Sequence, residues 1–412
     1  MAKKTVADIE VKGKKVLMRC DFNVPQDDEG NITSDDRIVK ALPTIKNILD
    51  RGGVLILMSH LGRPEGKRDE KYTLQPVAQR LSELLGKPVV FANDCVGPDP
   101  KAKAAALKPG DCMLLENLRF HKAETIKDKA AKEDKQLRQA KDDFARQLAA
   151  MADVYVDDAF GTAHRDNASM YTVPVVMEGK PRVIGFLIEK ELKFLGDTLK
   201  NPEHPFIAIL GGAKVSDKIG VIENLIGKVD AIVIGGAMAY TFLKAQGKQI
   251  GNSRCEDDFI EKATEMIEHA KEAGCEIALP KDSVVAQELK ESAANKVVGE
   301  NIEDGWLGLD IGPESQKLFA SKLGGARTIV WNGPMGVFEM PPFDEGTKAV
   351  AQAVADATDK GAKSIIGGGD SASAVTKLGL EERISHISTG GGASLEFLEG
   401  KKFVCLEILD EK

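Results

Sequence analysis

Four short apolar runs in the first half of the chain end in residues able to grip an anion. They close in "CDFN" (20–23), "SHLGR" (59–63), "ENLRF" (116–120) and "DDAFGTAHR" (157–165). These ends deliver Arg63, Arg119 and Arg165, with His60 and His164 beside them. Arg37 follows "TSDD", whose serine and aspartates make a plausible capped helix start. A guanidinium is a planar fork that matches phosphate or carboxylate, so several converging forks suit a small polyanion better than a single salt-bridge partner. One phosphate carries about −1.5 to −2 charges near neutral pH, and roughly two to four cations per ligand are a sensible match.

The second half ends its apolar runs differently, in "LGGAK" (210–214), "IGGAM" (234–238), "WNGPMG" (331–336), "IGGGDSAS" (366–373) and "STGGGAS" (388–394). Glycine lets main chain approach a ligand closely, and amides at helix N-termini point at anions. Lys214 and Lys218 follow the first of these ends, where the spacing predicts the opening turn of a helix. Asp370 follows the fourth and could hold Mg²⁺ beside phosphates. One half thus offers arginines, the other bare amides and lysine.

Each feature taken singly has a plainer reading. A strand-end arginine is often a surface salt bridge, and His60 or His164 alone reads as a hydrogen-bonded loop histidine. A glycine cluster alone is a turn, Lys218 a solvated helix lysine, and Asp370 a helix cap before "SAS". The functional reading rests on the joint pattern. "GGGDSA" at 367–372 fits the dinucleotide fingerprint G-x-G-x-x-A, but it stands late in the chain, where such a site usually comes first. The chain has neither a G-x-x-x-x-G-K-[ST] phosphate loop nor the H-R-D and D-F-G pair of protein kinases.

The elements that must position these residues alternate from end to end. Strands are expected at Lys15–Arg19, Val54–Met58, Pro88–Phe91, Cys112–Leu115 and Val154–Val156, then at Phe206–Leu210, Ala231–Ile234, Glu276–Leu279, Thr328–Trp331 and Lys363–Ile366. Segments between them, such as Asp36–Asp50 and Thr73–Leu85, carry helical spacing. Such alternation predicts an α/β fold with mostly parallel sheets wrapped by helices, and 412 residues predict two doubly wound domains. An eight-stranded α/β barrel would also satisfy the alternation alone. The charge-dense 121–151 stretch reads as a solvated helix. Phe186, Ile188, Leu192, Leu195 and Leu199 lie at helical spacing before Pro202 and Pro205, which predicts a helix joining the domains.

A hydrophobic share of 42% with 29% charged residues is ordinary for a soluble protein, and a formal charge of −8 argues against a broad nucleic-acid footprint. Six cysteines stand singly, without zinc spacing. No signal peptide is evident at the start, and "AIVIGGAMAY" (231–240) is too short to span a bilayer. These readings favour a cytoplasmic protein with neither nucleic-acid nor membrane partners.

Taken together, "RCDFNVP", "SHLGRP", "ENLRFH", "DDAFGTAHR", "LGGAKVSDKI", "GLDIGP", "WNGPMGVFE", "GGGDSASA" and "STGGGASLEFLEG" closely resemble, in order, the motifs of the phosphoglycerate kinase family. The resemblance covers nearly the whole chain and implies two Rossmann-like domains facing each other across a cleft. It implies a first domain over 1–184 for 3-phosphoglycerate or 1,3-bisphosphoglycerate, a hinge helix at 185–200, a nucleotide domain over 201–395, and a tail at 396–412 that packs back on the first domain.

On the acid side the resemblance implies that Asp21 and Asn23 hold the glycerate hydroxyl and carboxyl end. Arg37 would bridge the carboxyl and the phosphoryl group in flight, while His60, Arg63, Arg119 and Arg165 hold the 3-phosphate. On the nucleotide side Lys214 would reach the transferring group and Lys218 the nucleotide phosphates, with Asn332 approaching them. Gly212, Ala213, Gly235, Gly236, Gly308, Leu309, Pro334 and Val337 would line the adenine slot, and Glu339 would take the ribose. Gly368, Gly369, Gly391 and Gly392 would supply amides and Ser371 would join the nucleotide-binding residues, with Arg37, Lys214, Gly369 and Gly392 as the catalytic set. Asp370 would ligate the Mg²⁺ of Mg-ADP or Mg-ATP. One departure stands out: many members carry a second histidine shortly after "AHR", where this chain has Asn167.

The implied reaction moves a phosphoryl group from 1,3-bisphosphoglycerate to ADP, reversibly, giving 3-phosphoglycerate and ATP. Both nucleophiles are already ionised at neutral pH, so positioning and charge neutralisation carry the rate. A monomer that closes at its hinge is expected. The alternatives are a nicotinamide dehydrogenase, resting on "GGGDSA", and a non-catalytic two-domain solute-binding protein; both leave part of the pattern unexplained.

Overall fold

A run such as Val54–Met58, five aliphatic residues buried throughout, has nothing to show water on either face. Such strands belong inside parallel sheets covered by helices on both sides. The computed structural model, which describes residues 2–412, builds two sheets of this kind. The chain divides into two compact units, one running up to Leu192 and resuming at Lys402–Lys412, the other spanning Lys193–Lys401.

In the first unit β1 (Lys15–Cys20), β2 (Val54–Met58), β3 (Val89–Phe91), β4 (Cys112–Leu114), β5 (Val154–Asp158) and β6 (Arg182–Ile184) pair in the order β3-β4-β2-β1-β5-β6, all parallel. The order reverses between β1 and β5. In sheets of this type a ligand crevice opens beyond the carboxyl ends at such a reversal. Beneath it Val16, Met18, Leu55, Leu57 and Val156 pack with Ile38, Ile45 and Ile48 of the helix Asp36–Asp50.

The second unit begins with β7 (Phe206–Leu210), β8 (Ala231–Ile234) and β9 (Glu276–Ala278). It continues with β10 (Ser283–Ala286), β11 (Asn295–Val298) and β12 (Leu307–Ile311), and then β13 (Thr328–Asn332), β14 (Lys363–Gly367) and β15 (His386–Ile387). Its main sheet runs β15-β14-β13-β7-β8-β9, parallel throughout, and reverses between β7 and β13. A separate antiparallel sheet, β11-β10-β12, was not foreseen in the sequence. Its strands are four or five residues long and only β11 alternates cleanly in burial, so no period announced them.

Several local expectations change. The helix joining the units is not uniform: Phe186–Glu191 is α-helical, Leu192–Gly196 forms a π turn, and Asp197–Lys200 is α-helical again. The division between the units falls at that π turn, between Leu192 and Lys193, inside the segment 185–200 expected to join them. The expected boundary at 395 cuts the helix Gly391–Leu398, which belongs whole to the second unit. The charge-dense stretch holds a 3-10 turn at Lys122–Thr125 and two α-helices, Asp128–Glu133 and Lys135–Ala149, and it is not wholly solvated. Lys141 is fully buried there, with Nζ 2.9 Å from Asp128 Oδ1 and 2.7 Å from the Asp166 carbonyl. A buried ammonium needs both partners, because desolvation otherwise outweighs any Coulombic gain.

The returning tail is anchored by polar contacts. Lys3 Nζ donates to the Leu409 carbonyl at 2.8 Å, and the Asp410 amide donates to the Arg182 carbonyl at 2.8 Å. Phe403 lies 6.0 Å from Phe160, centroid to centroid, in the loop that leads to His164.

Candidate active site

The carboxyl ends of β1, β2, β4 and β5 bring the expected residues of the first unit together. Beyond β1 lie Asp21 and Asn23, and Asp21 pairs with Arg37 from the opening turn of the helix Asp36–Asp50. Asn23 Oδ1 accepts from the Gly62 amide at 2.8 Å, tying this end to the one beyond β2. Arg119 sits in the short 3-10 helix Leu118–Phe120 beyond β4 and donates to the Gly62 carbonyl at 2.7 Å. Arg119 is 7% exposed, and its Nε has no hydrogen-bond partner among the described residues. A buried guanidinium donor left open is costly without a ligand to accept from it. Arg165 Nε donates to His164 Nε2 at 3.1 Å. Arg63 is exposed on its loop and makes no ion pair among the described residues.

His60 marks the centre of this positive field. It is 4% exposed, and Arg19, Arg119, Arg165 and Arg37 all act on it. Burial first, then those cations in that order, hold its pKa well below the usual histidine value. Burial first, then Arg19 and Arg165, also bring Arg119 down to about 10. Arg19 was missed in the sequence. It is the buried fifth residue of β1, with Nη2 3.2 Å from His60 Nδ1 and Nε 3.0 Å from Ser169 Oγ. Arginine can only donate, so Nδ1 must accept and the imidazole proton sits on Nε2. His60 thus offers a neutral Nε2–H donor.

A stability consequence follows. The folded pKa of His60 lies below the unfolded value, so below about pH 6.5 the unfolded chain takes up a proton that the folded state refuses. Stability therefore falls with falling pH from that point, by at most about 1.4 kcal/mol per pH unit. Urea midpoints should drop more between pH 7 and pH 5 in the native protein than in His60→Gln; parallel drops would contradict this reading.

Asn167, the departure noted in the sequence, is buried with Nδ2 3.3 Å from Glu124 Oε1. Glu124 also accepts from the Ser169 amide at 2.9 Å and from Ser169 Oγ at 2.7 Å. Asn167 therefore helps hold Glu124, which in turn fixes Ser169, the residue that Arg19 leans on.

In the second unit the loops after β7, β8 and β13 lace together through main chain. The Gly212 amide donates to the Pro334 carbonyl at 3.1 Å, and the Gly236 amide to the Met335 carbonyl at 2.9 Å. Gly236 has φ +68°, and a Cβ there would stand 2.6 Å from the Gly212 amide nitrogen. Gly308 of β12 is as tightly placed, since a Cβ would meet the Tyr240 hydroxyl at 2.0 Å. Between these loops lies a cavity of about 450 Å³. Of the expected residues, Gly212, Ala213, Gly236, Gly308, Leu309, Pro334, Val337, Glu339 and Asp370 line it. Gly235 does not; it backs onto Met335 behind the wall. Tyr240, Arg254 and Leu289 line the cavity without having been foreseen.

The lysines sit differently from expectation. The helix starts at Ile219, so Lys214 lies in the preceding loop and Lys218 at the helix cap. Ser216, between them, is pinned by Glu256, which accepts from its amide at 3.0 Å and its hydroxyl at 2.7 Å. Lys214 is exposed, whereas Lys218 is 9% exposed and donates to Asn332 Oδ1 at the end of β13. Burial brings Lys218 down to about 8 against the opposing pull of Asp217, Asp370 and Glu399.

Two helix starts meet nearby, Gly369–Lys377 and Gly391–Leu398. A Cβ at Gly391 would lie 3.8 Å from the Gly369 amide nitrogen. Ser371 Oγ accepts from the Gly333 amide at 2.7 Å, holding the first helix against the β13 loop. Gly369, Asp370 and Gly392 are exposed around this junction, and Asn332 Nδ2 is buried with no protein partner among the described residues. Adjacent N-termini sum their dipoles and open amides at one place, an arrangement suited to an anion. "GGGDSA" belongs here, after β14 rather than after the first strand of the sheet, so it is not a dinucleotide turn.

Comparison with known proteins agrees with this geometry. The profile of the phosphoglycerate kinase family matches residues 6–401. The chain is 52% identical over 412 residues to the phosphoglycerate kinase of Chlorobium limicola, covering all of both chains. It is 54% identical over 413 residues to that of Moorella thermoacetica, again covering all of both. The solved phosphoglycerate kinase of Coxiella burnetii superposes with a TM-score of 0.85 at 40% identity, covering 98% of each chain. Neither a dehydrogenase nor a solute-binding protein is supported by these relatives. The chain belongs to the phosphoglycerate kinase family, enzymes that transfer a phosphoryl group with a carboxyl group as acceptor.

Proposed function

We propose that the two units divide the reaction between them, the first holding 3-phosphoglycerate or 1,3-bisphosphoglycerate and the second holding Mg-ADP or Mg-ATP. The observation that carries this reading is the cluster of Arg19, Arg37, Arg119 and Arg165 around a neutral His60. His60, Arg119 and Arg165 grip the 3-phosphate, with Arg63 reaching in from its exposed loop. Asp21 and Asn23 orient the glycerate, and Arg37 lies at its carboxyl end. In the second unit the 450 Å³ cavity takes the base and ribose, a volume ordinary for such ligands. Lys218, Asn332 and the paired helix starts take the phosphates, and Lys214 reaches the group in transfer.

Asp370 fits the nucleotide's magnesium, because it offers an exposed carboxylate on the cavity rim and Mg²⁺ needs few protein ligands when phosphates supply the rest. Bound with the nucleotide, the ion draws charge from the phosphate oxygens. The chain's own residues do the remainder by orientation: neither nucleophile needs a base, and no histidine or carboxylate is assigned one. In-line transfer needs both ligands within bonding reach, so binding of both substrates closes the units about the π turn at Leu192–Gly196. Closure also excludes water from the acyl phosphate. No helix among the described residues is long and apolar enough to cross a membrane. The enzyme works as a cytoplasmic monomer. ATP formation from 1,3-bisphosphoglycerate and ADP, strictly dependent on Mg²⁺, is the expected assay result. X-ray scattering should show compaction with both substrates and little with either alone; turnover without compaction would remove the hinge from the account.

A further inference from the structure

The "ENLRFH" segment supplies Arg119 to the anion site and leaves its last residue, His121, without a part in the reaction. His121 meets Asp94 and Cys95, from the loop that follows β3, in a cluster apart from the phosphate grip. One ligand-type atom from each of the three lies within 4.8 Å of the others. We infer that Asp94, Cys95 and His121 form a binding site for a single divalent cation of the zinc class.

Each donor is held before any cation arrives. His121 Nε2 stands 2.6 Å from Asp94 Oδ1, and its ring packs on Phe144 with centroids 5.2 Å apart. The Asp94 carboxylate also accepts from the Cys95 amide at 2.6 Å. Cys95 is fully buried, whereas Asp94 and His121 are half-buried, so the open side of the cluster faces solvent. One carboxylate therefore has both a ring nitrogen and a thiol as near neighbours.

A dication can replace the protons that this arrangement shares. The thiol proton leaves to solvent, His121 turns its Nε2 lone pair inward with its proton on Nδ1, and Asp94 and the thiolate together neutralise two positive charges. Three protein ligands with water in the fourth position give the open tetrahedral form common for zinc. A sulfur, nitrogen and oxygen donor set selects zinc-like ions over Mg²⁺ or Ca²⁺, which prefer oxygen alone. The bound ion would tie the loop after β3 to the turn that carries Arg119, stabilising the first unit without touching the transferred group.

The test uses the full chain, stripped with a chelator and titrated with Co²⁺ as a spectroscopic stand-in for zinc. The expected result is one equivalent bound with a thiolate-to-cobalt charge-transfer band. Cys95→Ala should abolish the band, and His121→Asn should weaken binding at least about tenfold. Zn²⁺ should raise the Tm of the native chain more than that of His121→Asn. If Cys95→Ala does not fold, Asp94→Asn takes its place, with the same tenfold loss expected. The inference is overturned if the folded native chain shows no band, or if band and affinity survive in His121→Asn.

Discussion

Arg37→Ala is expected to lower kcat by about 10² or more while leaving the fold intact, the scale seen when one donor aimed at developing charge is lost. Arg37 is half-exposed on the first turn of its helix and forms an ion pair with Asp21. Removing it creates no core cavity, and Asp21 keeps His60 within 4.0 Å. Stability should therefore change little. On the proposed assignment, what disappears is the cation where acid carboxyl and transferred phosphoryl group meet, a place given to no other arginine of the cluster. The loss should fall on kcat more than on KM, because the proposed grip on the 3-phosphate by Arg119, Arg165 and His60 is left in place. Lys214→Ala should behave alike from the nucleotide side, since Lys214 is also exposed and makes no ion pair among the described residues. Near-normal turnover in either variant would remove that residue from the transferring group.

A second large effect is expected from deleting one backbone hydrogen. Gly369→Pro removes the amide at the start of the helix Gly369–Lys377, a position where proline is compatible with helical geometry. There is room for a side chain, since nothing lies within 4 Å of a Cβ built on Gly369. Gly369→Ala keeps the amide and adds only a methyl group. If the paired helix starts neutralise the equatorial oxygens, the proline variant should lose about 10² to 10³ in kcat and the alanine variant little. Both variants should melt near the native temperature. Equal losses in the two would mean that bulk, not the lost donor, is responsible, and equal retention would mean that this amide faces no transferred group.

How much of this could be read from the sequence depended on where each residue sits. His60, Arg63, Arg119 and Arg165 stand just past apolar runs, so the rule that parallel strands present their carboxyl ends to ligands pointed to them, whereas Arg37 was legible only from the helix start after "TSDD". Arg19 stands inside its run, "KVLMRC", and reads as strand interior. Its role depends on which way the side chain turns at the end of β1, which a period of two cannot decide when both faces are buried. Lys141 was hidden by its neighbours, because a segment dense in charge hides the one ammonium that folding buries.

On the nucleotide side the glycine-rich ends were legible, since close main-chain approach restricts the residue type. Tyr240, Arg254 and Leu289 come from three separate stretches and carry no common spacing, so only the folded chain assembles them. The π turn at Leu192–Gly196 was equally hidden, as leucines at helical intervals suit an unbroken helix.

The division of labour between the units is most directly tested by titrating each ligand alone onto two variants. Arg119→Met keeps a long buried side chain and removes the cation from the acid grip; Lys218→Met does the same beside Asn332 on the nucleotide side. Calorimetry should show 3-phosphoglycerate affinity falling at least about tenfold in the first variant with Mg-ADP unchanged, and the reverse pattern in the second. Loss of nucleotide binding in Arg119→Met, or unchanged affinity for both ligands in both variants, would contradict the account.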